Sequence, residues 1–424
     1  MGKKDPGIIR VGDKVKILNP EFFERCGEDM KIPLSKQRMT PEIYEGVEEV
    51  LKSGWWTMGK YTEQLEDEFS KYIGVKYAVA VNSCSMALFL CLEYYNFLGG
   101  ILLEGSLKNR LIATTPLTFC STVNAIIYAG ARPILFDVNK TNQCIDLDSI
   151  SDYDAKYIWG CVPVHFGGCP CDIDRLGKLT EVGNWKVVQD CAHAVETKWG
   201  GINVGVYGNA SCYSFNPTKN IAAPEMGMVA TNNEYMAKCI RRARIHGMDC
   251  DASKRVTSPG SYTINHSGYK ANPTDMEAVI ALHQLRMVKE NWERRLEISV
   301  WYRDAFVRFY AKGWFNGNIP IVVSKWPDGM RHGLHLFQIH INNRDKFIAR
   351  MRESGIYCGV HYKPIHLHPY YRGRVTFGGA SLENAEWIGE HTCSLPLGPG
   401  MTEEDVEYII NSIEDIIKGG GYLF

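Results

Sequence analysis

A chain of 424 residues and 47.9 kDa is too long for one simple core and points to two or three domains of about 150 residues each. Its 45% hydrophobic and 22% charged residues are those of a soluble globular protein, which excludes disorder, collagen-like repeats and coiled coil as the main theme. With Lys+Arg 47 against Asp+Glu 48 and a pI near 6.9, the chain has no electrostatic footprint for nucleic acid or an anionic membrane.

Residues 1–30 read as an N-terminal extension, with an alternating stretch over 7–17 that predicts a strand or small hairpin. The opening MGKKDPGIIRVGDK lacks the apolar centre of a signal peptide and has no Ser or Thr at the sixth position for myristoylation. No apolar run reaches the roughly 18 residues of a spanning helix, so the expected location is the cytoplasm. The 14 cysteines then read as reduced, mostly buried thiols. Their spacings miss the common zinc patterns, so no metal site is expected.

A helix is predicted behind Thr40-Pro41, closed by Gly54, and a second over 62–73, closed by Gly74. From Tyr77 onward short apolar runs at 77–81, 111–115, 133–138, 157–164 and 186–189 read as strands covered on both faces. Helical patterns at 85–95, 122–128 and 173–179 lie between them, which argues for a mostly parallel sheet with crossover helices. Thr274-Asp275-Met276-Glu277 fits a capping box that opens a long helical stretch to about Phe309. Beyond it a strand at 334–341, a helix at 344–354, a strand at 356–360 and a last helix near Thr402 make a smaller α+β unit. The expected division is 1–30 extension, 31–285 large domain and 286–424 small domain.

In a sheet of this kind ligands bind beyond the carboxyl ends of the strands, and four strand ends carry polar chemistry. At Asn82-Ser83-Cys84-Ser85 a strand gives way to a helix whose free N–H groups could cradle an anion, although a plain Ser cap explains it equally. Asp190 tips a buried strand, with His193 shortly after, and an unpaired buried carboxylate is costly; capping the next helix is the alternative. Lys219 sits in the polar loop Ser214-Phe215-Asn216-Pro217-Thr218-Lys219-Asn220, where it could also be an ordinary exposed lysine, and Phe119 follows Thr118. Together an anion cradle, an amine, a carboxylate and an aromatic face describe a pocket for pyridoxal phosphate.

The ordered motifs resemble those of the DegT/StrS sugar aminotransferases, pyridoxal phosphate enzymes of fold type I. The resemblance rests on Ser53-Gly54-Trp55-Trp56-Thr57-Met58-Gly59, the phosphate turn 82–88, Thr118-Phe119-Cys120-Ser121-Thr122 and Gln189-Asp190-Cys191-Ala192-His193-Ala194. It continues through the lysine loop, Gly268-Tyr269-Lys270-Ala271-Asn272 and the segment from Gly355-Ile356 to Val360-His361-Tyr362. It covers about Ile32 to the C-terminus, apart from an apparent insertion near 98–107. The resemblance implies an aspartate-aminotransferase-like large domain with a mostly parallel sheet and helices on both faces, plus a smaller α+β C-terminal domain. Lys219 would then be the Schiff-base lysine, Asp190 the partner of the pyridinium nitrogen, Phe119 the stacking ring and His193 its neighbour. Cys84, Ser85 and Ser214 would hold the phosphate, with Lys270 or Asn272 reaching in from a second chain of a homodimer. Glu225, His361 and Tyr362 would contact substrate.

The implied activity is amino transfer from a donor such as glutamate to a keto-sugar, most often nucleotide-linked, in amino sugar biosynthesis. The cofactor would cycle between pyridoxal and pyridoxamine phosphate. A ketocyclitol aminotransferase, or a sugar dehydratase or lyase on the same fold, is the alternative; a non-catalytic scaffold is the third reading. Departures from the family pattern fall at Cys84, at Pro224-Glu225-Met226-Gly227 and at Ala271-Asn272-Pro273.

Overall fold

The punctuation residues act where the sequence puts them. In the computed structural model, which describes residues 9–11, 14–16, 30–102, 106–250, 262–264, 266–313, 329–379 and 381–419, β1 (Ile9–Val11) and β2 (Lys14–Lys16) form an antiparallel pair, as the alternation predicted. The rest of residues 1–29, and 103–105 of the apparent insertion, lie outside the described residues. Helix α1 (Pro41–Ser53) starts behind Thr40 and stops at Gly54, whose φ of 69° is the left-handed turn that glycine enters without steric cost. Helix α2 (Lys60–Ile73) stops the same way at Gly74.

Then follow β3 (Tyr77–Val81), α3 (Cys84–Leu102), β4 (Leu111–Thr114), α4 (Cys120–Tyr128), β5 (Arg132–Leu135), β6 (Gly160–Cys161), α5 (Ile173–Gly183), β7 (Lys186–Asp190), β8 (Ala210–Ser214), β9 (Gly227–Thr231) and α6 (Glu234–Ala243). The C-terminal part adds α7 (Asp275–Arg286), α8 (Val288–Ala311), β10 (Phe337–His340), α9 (Arg344–Glu353), β11 (Thr376–Phe377), α10 (Glu383–His391), β12 (Thr392–Leu395) and α11 (Glu403–Lys418). One eight-stranded sheet runs in the order β11-β5-β4-β6-β7-β8-β9-β3. Every neighbouring pair is parallel except those made by β9, which is antiparallel to both β8 and β3.

Successive side chains of a strand face opposite ways, and β3 shows the consequence: Ala78 and Ala80 join one core, Val79 and Val81 the other. The first core takes Leu65 and Phe69 of α2, Leu176 and Leu179 of α5 and Leu282 of α7. The second takes Ala87 and Leu88 of α3, Ile126 of α4 and Met236 and Ile240 of α6. A third cluster, built on Ile298, Tyr302, Phe306 and Phe309 of α8, packs β10, β12 and α11, and it also includes Ile32. No described helix is long and apolar enough to cross a membrane.

Three expectations change. The long helical stretch after the capping box, which is present at Thr274 and Glu277, is two helices parted at Met287. The strand expected at 356–360 makes only isolated bridges, Ile32 to Ile356 and Gly359 to Ser394, and the ladder partner of β10 is β12. The run 157–164 narrows to a two-residue strand, with Val164 making an isolated bridge to Asp190, and Gly160 lies so close to β7 that a Cβ would stand 2.3 Å from the Lys186 carbonyl oxygen.

β3 lies at the sheet edge, and charged side chains cap its unpaired side. The Ala80 amide donates to Glu66 Oε1 (2.9 Å), while Arg241 donates to the Ala78 oxygen (2.8 Å) and Arg244 to the Ala80 oxygen (2.6 Å). Both arginines also pair with Glu66, and the Arg244 and Glu66 side chains are almost fully buried. Arg244→Ala should therefore lower stability by about 3 kcal/mol, because it removes the more buried of the two ion pairs on Glu66 and the donor to the Ala80 oxygen; urea denaturation checks this as a lower midpoint with an unchanged slope.

Candidate active site

The carboxyl ends of β3, β7 and β8 and the loop after β4 converge on one cavity of about 420 Å³. Ser83, Cys84 and Ser85 enter it at the start of α3, where the first amides have no acceptor within the helix. The Ser83 hydroxyl accepts from the Met86 amide at 3.2 Å, which shapes the turn. Gly227 backs it so closely that a Cβ would stand 2.3 Å from the Ser83 carbonyl carbon and 2.5 Å from the Cys84 nitrogen. Burial pushes the Cys84 thiol well up, so it stays protonated at neutral pH.

Asp190, 4% exposed at the tip of β7, is held by the Thr122 hydroxyl at 2.7 Å and the Ala192 amide at 3.1 Å. Because Thr122 gives its one proton to Asp190, the 2.7 Å contact between Thr118 and Thr122 has Thr118 as donor. Burial raises the Asp190 pKa, and the Thr122 hydroxyl, the Ala192 amide and the nearby Lys219 ammonium pull it back. Thr122, in the first turn of α4, is a part of the site that sequence reading missed.

Lys219 lines the same cavity. Its amide donates to the Asn216 oxygen at 2.8 Å, and Gln37 clamps the loop by donating to the carbonyls of Pro217 (2.8 Å) and Lys219 (3.2 Å). Its amine makes no hydrogen bond or ion pair with any described residue. Burial brings the pKa of that amine from 10.5 down to about 8, with Asp190 and Cys84 pulling the other way. An amine of this kind is a usable nucleophile near neutral pH.

Three histidines line the cavity wall: His193, His335 and His361. His193 Nδ1 accepts from the Gly167 amide at 3.1 Å, which leaves the proton on Nε2, 3.3 Å from the Tyr362 hydroxyl. Burial, with Lys219 next, holds His193 well below its usual pKa and His361 down to about 4. His361 Nδ1 lies 2.8 Å from the Ser394 hydroxyl. Phe119 is 56% exposed along the cavity wall, 6.0 Å centroid to centroid from Tyr362. Ser214 and Glu225 also line the cavity, and Glu225 accepts from Asn216 at 2.9 Å.

Lys270 and Asn272 do not line it: the Lys270 amine donates to Asn272 Oδ1 at 2.6 Å. The segment nevertheless runs beside the phosphate turn, because the Asn82 amide donates to the Ala271 oxygen at 2.8 Å. The residues present fit pyridoxal phosphate. A helix start closed behind by a glycine suits a phosphate, a buried carboxylate suits a protonated ring nitrogen, and an unpaired amine suits an aldehyde.

The fold is that of the DegT-type aminotransferases, fold type I of the pyridoxal phosphate enzymes. Residues 37–414 match the DegT/DnrJ/EryC1/StrS aminotransferase family, and the chain belongs to that family. It is a pyridoxal phosphate-dependent aminotransferase. An uncharacterized protein of Methanocaldococcus jannaschii is 36% identical over 385 residues, 89% of this chain and 95% of that protein. The spore coat polysaccharide biosynthesis protein SpsC of Bacillus subtilis is 35% identical over 398 residues, 92% of this chain and 97% of that one. Among solved structures, the PMP form of Spr1654 from Streptococcus pneumoniae is 25% identical with a TM-score of 0.77, covering 92% of this chain and 100% of that chain.

The depressed lysine has a thermodynamic signature in the cofactor-free protein. Between pH about 8 and 10.5 the unfolded chain binds the Lys219 proton and the folded chain does not, so stability rises with pH there, by about 1.4 kcal/mol per unit at most. Below pH 8 the whole cost of burying the ammonium is present. Cofactor-free Lys219→Met should therefore be more stable than the parent at pH 7, with a gap that closes toward pH 10.5 in paired denaturation curves.

Proposed function

We propose that this aminotransferase moves an amino group from glutamate to a keto-sugar carried on a nucleotide, in amino sugar biosynthesis in the cytoplasm. The observation that carries the reading is the unpaired, buried Lys219 amine in one cavity with the buried Asp190 carboxylate. The sugar assignment draws on the family and on the polysaccharide-related relative. The donor and the nucleotide follow the family resemblance of the motifs.

The bound cofactor would supply an electron-accepting ring that makes the donor's Cα–H acidic. Lys219 would hold it through its amine, and would serve as the base for the donor's Cα proton and as the acid that returns a proton to the sugar carbon. Asp190, hydrogen-bonded by Thr122 and the Ala192 amide with the Lys219 charge nearby, would pair with the ring nitrogen and favour its protonated form. Phe119 would cover the ring, and His193, neutral with its proton on Nε2, orients Tyr362. Cys84, Ser85 and Ser214 would hold the phosphate. Lys270 or Asn272 of a second copy completes that subsite, so a homodimer is the smallest active unit. Glu225, His361 and Tyr362 meet the substrates. In this reading residues 31–285 act as the cofactor-binding domain and 286–424 as the small domain that closes on it.

Borohydride reduction of the holoenzyme followed by peptide mass analysis should place the cofactor on Lys219. Glutamate alone should release 2-oxoglutarate, and ketosugar nucleotides should then be aminated. Lys219→Ala should lower turnover by at least the roughly 10²- to 10⁴-fold that a positioned acid–base supplies, and full activity in that variant would sink the assignment. Asp190→Asn should slow turnover and weaken cofactor retention, read by dialysis and absorbance. Failure of every common amino donor would favour the lyase chemistry instead.

A further inference from the structure

Behind the lysine loop lies a buried polar cluster that the reaction just described leaves without a task. Asn220, next to Lys219 and 3% exposed, uses both ends of its amide. Nδ2 donates to Glu196 Oε2 (2.8 Å) and to the Gly333 oxygen (2.7 Å), and Oδ1 lies 3.1 Å from His335 Nδ1. Two donations from Nδ2 fix the amide's orientation, so Oδ1 is an acceptor and His335 carries a proton on Nδ1. His335 in turn lies against His193, ring centroids 4.2 Å apart, and lines the cavity.

The partners come from separate parts of the fold. Glu196 follows β7, the strand that carries Asp190; Gly333 and His335 precede β10, in the C-terminal part. Gly333 presses so close that a Cβ would stand 2.7 Å from Thr197 Oγ1 and 3.1 Å from the His193 oxygen. Arg295 of α8, fully buried, donates to the Leu397 oxygen at 2.9 Å and attracts Glu196 without a direct ion pair. Three buried groups thus meet on one carboxamide, and ordering them costs free energy that a surface loop would not incur.

We propose that Asn220 is a positioning residue: through Glu196, Gly333 and His335 it fixes the lysine loop so that the Lys219 amine stays inside the cavity when the C-terminal part is seated. The proposal rests on Lys219 carrying the cofactor, and it gives a role to residues for which the sequence motifs implied none. Loss of the anchor lets water reach the amine, whose charged and titratable neighbours are Asp190, Cys84, His193, His335 and His361.

Asn220→Ala and the pair Glu196→Ala and Glu196→Gln test it. Misplacing a reacting group by about 1 Å costs about 100-fold, so Asn220→Ala should lower kcat about 10- to 100-fold with KM for glutamate within about threefold. Cofactor-free Asn220→Ala should capture pyridoxal phosphate with a pH midpoint displaced upward from that of the parent, because the amine is better solvated. Glu196→Ala should behave like Asn220→Ala, whereas Glu196→Gln keeps an acceptor for Asn220 and should stay within about threefold of the parent. Parental kcat and parental capture midpoint in Asn220→Ala, with only a lowered Tm, would overturn the proposal. Should Asn220→Ala fail to fold, equal behaviour of the two Glu196 variants would overturn it. Borohydride labelling of Lys219 in the parent and in every folded variant separates this outcome from failure of the underlying assignment.

Discussion

The structure is organised around two buried groups of opposite charge that share a cavity without closing on each other. Asp190 and Lys219 form no direct ion pair among the described residues, and burial pushes each toward its neutral form. Desolvation is tolerated on the Asp190 side because a hydroxyl chain, Thr118 to Thr122, and the Ala192 amide stand in for water. On the Lys219 side no described residue substitutes for water, and that asymmetry leaves a hydrogen-bonded carboxyl group opposite an amine ready to react. A direct pair would have been easier to bury and chemically inert.

Much of the site could be read from the sequence because its pieces lie at strand ends. Ser83 to Ser85 and Asp190 come within four positions of the end of a Val-rich run, and Phe119 lies five positions beyond β4; period and punctuation place such positions well. The sheet was legible for the same reason, except at β8, β9 and the two-residue β11. The first two, Ala-Ser-Cys-Tyr-Ser and Gly-Met-Val-Ala-Thr, are buried throughout and show no alternation to mark them. The strand expected at 356–360 failed for the opposite cause: its composition suits a strand, but tertiary packing gave the ladder to β12.

The supporting groups were not legible because their partners are far away along the chain. Gln37 reaches the Lys219 carbonyl across 182 positions, and Asn220 meets His335 across 115. A lone glutamine before a helix, or an asparagine after a lysine, has no local pattern to distinguish it from a solvated side chain. The C-terminal part is tied to the sheet in the same long-range manner: β11 extends it beside β5, and Asp137 accepts from the Asn384 and Ala385 amides at the start of α10. Cofactor turn, lysine loop and small-domain segment are thus separate in sequence and joined only by packing.

The capped outer strand has a consequence for how molecules of this protein meet. An uncovered sheet margin invites another chain to add a strand, a route to fibrous aggregates. In β3 the exposed backbone groups of Ala78 and Ala80 are already engaged by Glu66, Arg241 and Arg244. The strand feeding the phosphate turn is therefore barred from intermolecular zippering along that margin.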